Sequence, residues 1–168
     1  LSLSLSTVFG ILSLGLFFGG LLSPVAGALV DRFGGRYVMG AGSLAAGVAL
    51  MLLSQVEGPY GLFFALLLAE GAGVFVLYNV AFASVARLDS PVPAARAISI
   101  ITLFGGVAST IFWPVTLALQ NALGWQATWV VLGAMVVLIC MPVHLLVLRQ
   151  PVRDGAAPRV TGAQNWPE

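Results

Sequence analysis

The feature that most constrains this chain is a series of long apolar runs separated by short clusters of charged residues. Hydrophobic residues make up 60% of the sequence and charged residues only 8%, whereas soluble domains carry about 25% charge. Each run approaches the roughly 20 apolar residues that a helix needs to cross a bilayer. Because the runs are apolar on every face, they favour helices over the alternating strands of a membrane barrel. We therefore predict an all-α, polytopic membrane helix bundle.

The charged clusters divide residues 1–148 into five predicted transmembrane helices. These helices cover about residues 7–30, 37–56, 61–85, 95–119 and 126–148. The remaining segment, residues 149–168, is polar and rich in Arg, Pro, Ala and Gly. We expect this segment to be a disordered loop or linker on the cytoplasmic side.

Several functional classes conflict with the composition. A net charge of +1 without a basic stripe excludes a nucleic-acid-binding protein. The single cysteine, Cys140, excludes a disulfide scaffold, and its neighbour on the same helix face, His144, does not complete a metal site. An embedded enzyme would need clustered catalytic groups, and the chain has one histidine and no lysine. No nucleotide-binding motif occurs, so we expect neither ATP use nor any cofactor.

The arginines predict how the chain is oriented. All seven basic residues are arginines, and they follow the first, third and fifth predicted spans. The positive-inside rule places these turns in the cytoplasm, residue 1 outside and the C-terminal tail inside. We expect a plasma membrane location, which is the inner membrane in a bacterium. Because the chain starts at the outer face with Leu1 and without a signal peptide, we expect it to be an excerpt of a longer protein.

Two of the predicted spans share a sequence pattern. A Pro-Val pair, a leucine and a glycine recur at an offset of 90 residues, in spans that cross in opposite directions. The matching positions are Pro24 with Pro114, Val25 with Val115, Leu29 with Leu119 and Gly34 with Gly124. Inverted repeats of this kind are typical of secondary transporters.

The turn after the first span carries the most specific motif, GALVDRFGGR at residues 27–36. It resembles the signature loop between helices two and three of the major facilitator superfamily, Gly-x-Leu-x-Asp-Arg-x-Gly-x-Arg. Every fixed position of that pattern is met. We expect Gly27 to let a neighbouring helix approach closely, and Gly34 and Gly35 to permit a tight turn. We expect Asp31 to meet a helix N-terminus, and Arg36 to pair with a carboxylate or with helix C-terminal carbonyls.

The resemblance implies the N-terminal half of a transporter, with helices two to six present and helix one and the C-terminal half missing. It implies alternating access of a small-molecule substrate across the lipid bilayer, either facilitative or secondary active with protons as one candidate coupling ion. The signature-loop residues would form a cytoplasmic gate, with Arg87 as a plausible partner of Asp31. The sequence lacks the helix-five motif of drug antiporters, which favours monocarboxylate- or organic-anion-type members. The alternative is a non-transporting anchor or assembly subunit.

Four residues inside the spans are candidates for substrate or proton binding. Glu70 lies near the middle of the third span, where an ionisable residue indicates a functional site and an apolar environment favours the protonated carboxyl. Asn79 lies in the same span, about 180° away from Glu70 on a continuous helix. Thr110 and Trp113 flank Pro114 in the fourth span and are candidates for facing the cavity. Each of the four has a structural alternative, namely packing or an interhelical hydrogen bond.

Overall fold

The computed structural model describes residues 4–76, 78–86 and 92–148, and every regular element within them is helical. The elements in this part of the chain are α1 Leu5–Phe33, α2 Gly35–Leu53, α3 Gly58–Gly73, α4 Tyr78–Ala86, α5 Ala94–Met135 and α6 Met141–Val147, with a π-helical turn, Val136–Cys140, before α6. The predicted all-α bundle is therefore confirmed. The predicted loop at residues 149–168 lies outside the described residues.

Three helical stretches, one of them interrupted at Gly124, are long and apolar enough to cross a membrane. They are α1, α2 and the stretch from Ala94 to Val147 that joins α5, the π-helical turn and α6. Large apolar side chains cover the outer faces, and Trp113 is 81% exposed. The hydrocarbon chains of lipids are as apolar as a protein core, so these exposed side chains are favourable in a bilayer. The chain is an integral membrane protein.

The third predicted span, residues 61–85, is not one helix in the structure. It is divided into α3 and α4, and the backbone turns at residues 74–76. There Phe75 N donates to Ala72 O at 3.1 Å and Val76 N donates to Gly73 O at 2.9 Å, the tighter spacing of a turn. Glycine and β-branched valine are weak helix formers, which explains why the helix stops here.

Residues 95–148 form a nearly continuous helical stretch in which Gly124 is the break. A corner is predicted over residues 120–124, but only Gly124 leaves the helical conformation, with φ 81° and ψ 168°. Both Pro24 and Pro114 lie inside helices.

The two copies of the repeated pattern have the same backbone at their closing glycine. Gly34, which ends α1, has φ 80° and ψ 151°, close to the values at Gly124. The offset of 90 residues also pairs Gly47 of α2 with Val137. The two residues are in close contact, because the Cβ that an alanine would place at Gly47 would lie 2.5 Å from Val137 Cγ2. A residue that contacts its own equivalent is expected beside a two-fold axis. This contact supports an internal repeat related by a pseudo-two-fold axis.

The helix α2 is the centre of the packing, because it contacts every other helix of the described part. Its glycines allow this close approach on two faces. A Cβ on Gly47 would lie 2.7 Å from Gly133 O in α5, and one on Gly42 would lie 2.7 Å from Phe75 Cβ. A separate apolar cluster packs α1, α2 and α4 together around Val30 and Val80, which are both 1% exposed. Small residues that bring backbones together are the usual interface of membrane helices.

Candidate functional site

Glu70 lies in the interface between α3 and α1. The Glu70 side chain packs against Gly15 of α1, where no side chain intervenes. A Cβ placed on Gly15 would lie 3.2 Å from Glu70 Cγ. One turn further along α1, a Cβ on Gly19 would lie 3.5 Å from Glu70 O. Both glycines are buried. The two glycines therefore let the Glu70 side chain and the α3 backbone approach α1 closely.

The side chain of Glu70 is partly buried, and its carboxyl group has no partner in the part of the chain that the structure describes. No described residue donates a hydrogen bond to it or forms an ion pair with it. Glu70 belongs to the third predicted span, where a carboxyl group without a structural partner favours a functional role over a packing role.

The break between α3 and α4 begins four residues after Glu70, about one helical turn further along the chain. The last helical residue of α3 is Gly73, and the turn at residues 74–76 follows. Transporter binding sites are commonly built from discontinuous helices, whose interrupted backbone offers free polar groups near the bilayer midplane. Glu70 therefore combines a carboxyl group that no described residue pairs with and a helix break one turn away, and this combination defines the candidate site.

The same break changes the placement of Asn79. The sequence places Asn79 about 180° around the helix axis from Glu70 only if the helix is continuous. The turn at residues 74–76 interrupts the helix, so this angle no longer applies. Asn79 lies in the first turn of α4, and its side chain is outside the described part of the structure. Its role as a candidate ligand stays a prediction.

The other two candidate residues lie apart from Glu70 on α5. Thr110 is exposed and donates to Gly106 O of its own helix at 3.2 Å. Trp113 is also exposed, and α5 as a whole contacts α2 and α4 rather than α1. The described residues therefore do not bring Thr110 or Trp113 to Glu70, and their part in a cavity stays a prediction.

The glycines of the signature loop act in three different ways. Gly34 has a positive φ of 80° that only glycine adopts readily, and its N–H donates to Val30 O at 2.9 Å. Gly35 is helical, and a Cβ on it would overlap Oγ of the buried Ser84 in α4. At Gly27 the expectation of a close helix approach is wrong for the described residues, since no described atom lies within 4 Å of a Cβ built there. Close approach to α1 occurs instead at Gly15 and Gly19, because these positions are on the face that meets α3.

The charged residues of the loop are arranged around aromatic rings. The guanidinium carbon of Arg32 lies 5.2 Å from the centroid of the Phe33 ring, and that of Arg36 lies 5.3 Å from the Tyr37 ring. Nε of Arg36 is buried and has no hydrogen-bond partner among the described residues. The expected pairing of Arg36 with a carboxylate or with carbonyls is therefore not seen at Nε in this part of the chain.

The remaining gate residues are only partly defined by the structure. Asp31 is exposed in the last turn of α1. Arg87, its expected partner, lies outside the described residues. The gate role of the loop therefore stays a prediction.

Sequence reasoning missed the polar contact between α2 and α6. Ser43 Oγ and His144 Nδ1 lie 2.8 Å apart in a partly buried hydrogen bond. Ser43 is fully buried among the small residues of α2. The lone histidine was the available signal, because a buried imidazole near a helix interface requires a polar partner.

A membrane helix bundle with a broken helix and an internal repeat has the features of a solute transporter. The family model of the Major Facilitator Superfamily matches residues 1–168, the whole chain. The chain belongs to the Major Facilitator Superfamily, whose members move small molecules across membranes rather than catalyse reactions. Neither the curated proteins nor the solved structures contain a match to this chain.

Proposed function

We propose that this chain forms part of a secondary transporter that moves a small organic anion by alternating access, with Glu70 as the proton-binding group. The observation that carries the proposal is the placement of the Glu70 side chain, whose Cγ packs against Gly15, one helical turn before a helix break. Its carboxyl group has no partner among the described residues. A proton on Glu70 removes a charge from the interface between α1 and α3. Protonation therefore changes how closely these two helices pack, which is a route for coupling proton binding to rocking.

The signature motif supports an assignment of the helices. The loop at residues 31–36 then joins helices two and three of the family, and the helical stretches of this chain are helices two to six. The loop acts as a gate on the cytoplasmic side through Asp31, Arg32 and Arg36, with Arg87 as the partner of Asp31. Further candidates for contacting the substrate are Asn79, Thr110 and Trp113. The membrane is a plasma membrane, with residues 149–168 in the cytoplasm.

The class of substrate is inferred from what the sequence lacks. The drug-antiporter motif Gly-Pro-x-x-Gly-Gly is absent, and Phe112-Trp113-Pro114 stands in that region. This difference supports a monocarboxylate- or organic-anion-type transporter.

The first test measures proton-coupled uptake by the full-length protein in proteoliposomes, with lactate, pyruvate and acetate as probes. We expect Glu70→Gln to lower uptake driven by a pH gradient roughly tenfold, while exchange at equal pH is retained. Glu57→Gln is the matched control, because Glu57 is exposed in the turn before α3. Uptake in Glu70→Gln with an unchanged pH dependence would remove Glu70 from coupling, and uptake of none of the probes would overturn the organic-anion assignment.

A second pair of variants tests the glycine surface that receives Glu70. Gly15→Ala places a methyl group 3.2 Å from Glu70 Cγ, so we expect pH-driven uptake to fall roughly two- to tenfold. Gly20→Ala is the control, because no described atom lies within 4 Å of a Cβ at that position. Equal effects of the two substitutions would show that the contact with Glu70 is unimportant.

The alternative function, a non-transporting anchor or assembly subunit, gives the opposite result. It predicts no solute flux from the purified full-length protein and a second polypeptide that copurifies at a fixed ratio.

A further inference from the structure

A long apolar groove runs along the surface between α1 and α2, with α3 as its floor. Its larger part has a volume of about 800 Å³ and is lined only by apolar residues, including Leu22, Ala45, Val48 and Leu68. A second part of about 390 Å³ shares Ala41, Ala45 and Phe75 with it and continues toward the loop at residues 31–36. The two parts therefore form one continuous apolar groove.

Two aromatic rings line the end of the groove near the loop, and a guanidinium group lies over each ring. Phe33 and Tyr37 line the second part of the groove. Arg32 lies over the Phe33 ring at 5.2 Å and Arg36 lies over the Tyr37 ring at 5.3 Å. The groove is thus apolar along its length and positively charged at one end.

Arg36 also has an unused hydrogen-bonding group at this end. Its Nε is buried and has no partner among the described residues. A buried donor without a partner is rare and calls for an acceptor that the described chain does not supply.

We propose that this groove is a binding site for one anionic phospholipid, with an acyl chain along α1 and α2 and the phosphate at Arg32 and Arg36. The lining contains no polar side chain other than Tyr37 at the charged end, which fits a hydrocarbon chain and a single polar headgroup. Along α2 the lining runs from Tyr37 to Leu52, roughly 22 Å at the helical rise per residue. That length accommodates a chain that spans one leaflet, roughly 15 Å of hydrocarbon.

The charge at the loop end selects an anionic lipid over a neutral one. Basic pockets between membrane helices bind anionic headgroups, and arginine pairs with phosphate through two parallel hydrogen bonds. This lipid site does not rest on the proposed transport activity, because it depends only on the groove and the two guanidinium groups.

Native mass spectrometry of the protein in neutral detergent tests the site, with dioleoyl phosphatidylglycerol and dioleoyl phosphatidylcholine as probes of equal chain length. We expect the anionic lipid to bind more tightly, by roughly fivefold for each arginine in contact. Ala45→Leu fills the groove and lowers the binding of both lipids. The double variant Arg32→Gln and Arg36→Gln lowers phosphatidylglycerol binding to the level of phosphatidylcholine.

Two matched controls separate the groove from general lipid contact. Ala118→Leu adds the same bulk on an exposed face of α5, and Arg96→Gln removes an exposed arginine outside the groove. Both controls are expected to bind lipid as the unaltered protein does. Equal binding of the two lipids, or equal losses in the controls and the groove variants, would overturn the proposal. So would a dimer that Ala45→Leu dissociates while lipid binding is unchanged, since a second copy would then be the occupant.

Discussion

At the residue scale, glycine serves different physical purposes within one short loop. Gly34 supplies a positive φ, Gly35 supplies space for Ser84, and Gly27 meets no described atom. The sequence motif contains all three residues, but only the backbone conformation at Gly34 follows from local chemistry. The need for glycine at Gly35 comes from α4, which is almost 50 residues away in the chain.

The contact at Gly35 gives a prediction about stability. Gly35→Ala forces a methyl group onto Ser84, whose hydroxyl is fixed by donation to Val80 O at 2.6 Å. Overpacking of this kind lowers the free energy of unfolding by about 1–3 kcal/mol. Thermal unfolding in detergent measures the loss, and Gly27→Ala is the control that we expect to be much milder. A Gly35→Ala protein as stable as the Gly27→Ala protein would contradict the packing of α2 against α4.

At the scale of elements, the contacts of α2 with the C-terminal helices include a backbone crossing and a side-chain hydrogen bond. The crossing brings Gly47 against Gly133, and the hydrogen bond joins Ser43 to His144. The first contact depends on the absence of side chains and the second on a polar pair. Each contact can therefore be disrupted by its own substitution without changing the other.

The crossing is predicted to be the more sensitive contact. A Cβ on Gly133 would lie 2.5 Å from Gly47 O, and a backbone atom cannot move aside as a side chain can. Gly133→Ala is therefore expected to destabilise the protein by about 1–3 kcal/mol or more. Gly106→Ala in the same helix is the control, because a Cβ at Gly106 meets nothing within 4 Å. If chemical denaturation finds the two variants equally stable, α2 and α5 do not cross at these glycines.

The hydrogen bond is predicted to contribute less. Ser43→Ala removes the side-chain partner of His144. Interhelical hydrogen bonds in membranes average about 0.6 kcal/mol, with a maximum near 1.7. Ser99→Ala is the matched control, since Ser99 donates only to Ala95 O of its own helix. A denaturation midpoint lowered by Ser43→Ala and not by Ser99→Ala is the expected result. Equal midpoints for the two variants would mean that the pair contributes nothing measurable.

At the scale of the whole molecule, the proposed orientation fixes which turns face each side of the membrane. In a Cys140→Ser background, Glu57→Cys is expected to react with a membrane-impermeant maleimide on intact cells. Phe33→Cys, in the turn between α1 and α2, is expected to react only after permeabilisation. Both positions are exposed, so access from one side decides the result. The reverse pattern would overturn the orientation inferred from the arginines.

The sequence by itself determined the helical class, the membrane setting, the family and the turn at Gly34. These features depend on local quantities, namely the length of apolar runs and the conformational freedom of single residues. The internal repeat was also visible in the sequence. Its two closing glycines, Gly34 and Gly124, have nearly the same backbone conformation.

Only the tertiary structure decided which faces of the helices meet. It divided the third span at residues 74–76, placed Glu70 on Gly15, joined Ser43 to His144 and left a groove between α1 and α2. The physical reason is that lipid and protein core are equally apolar, so a spanning helix shows no hydrophobic periodicity that marks its buried side. The buried side is set by where small residues let a second backbone approach, and that second backbone comes from a distant part of the chain.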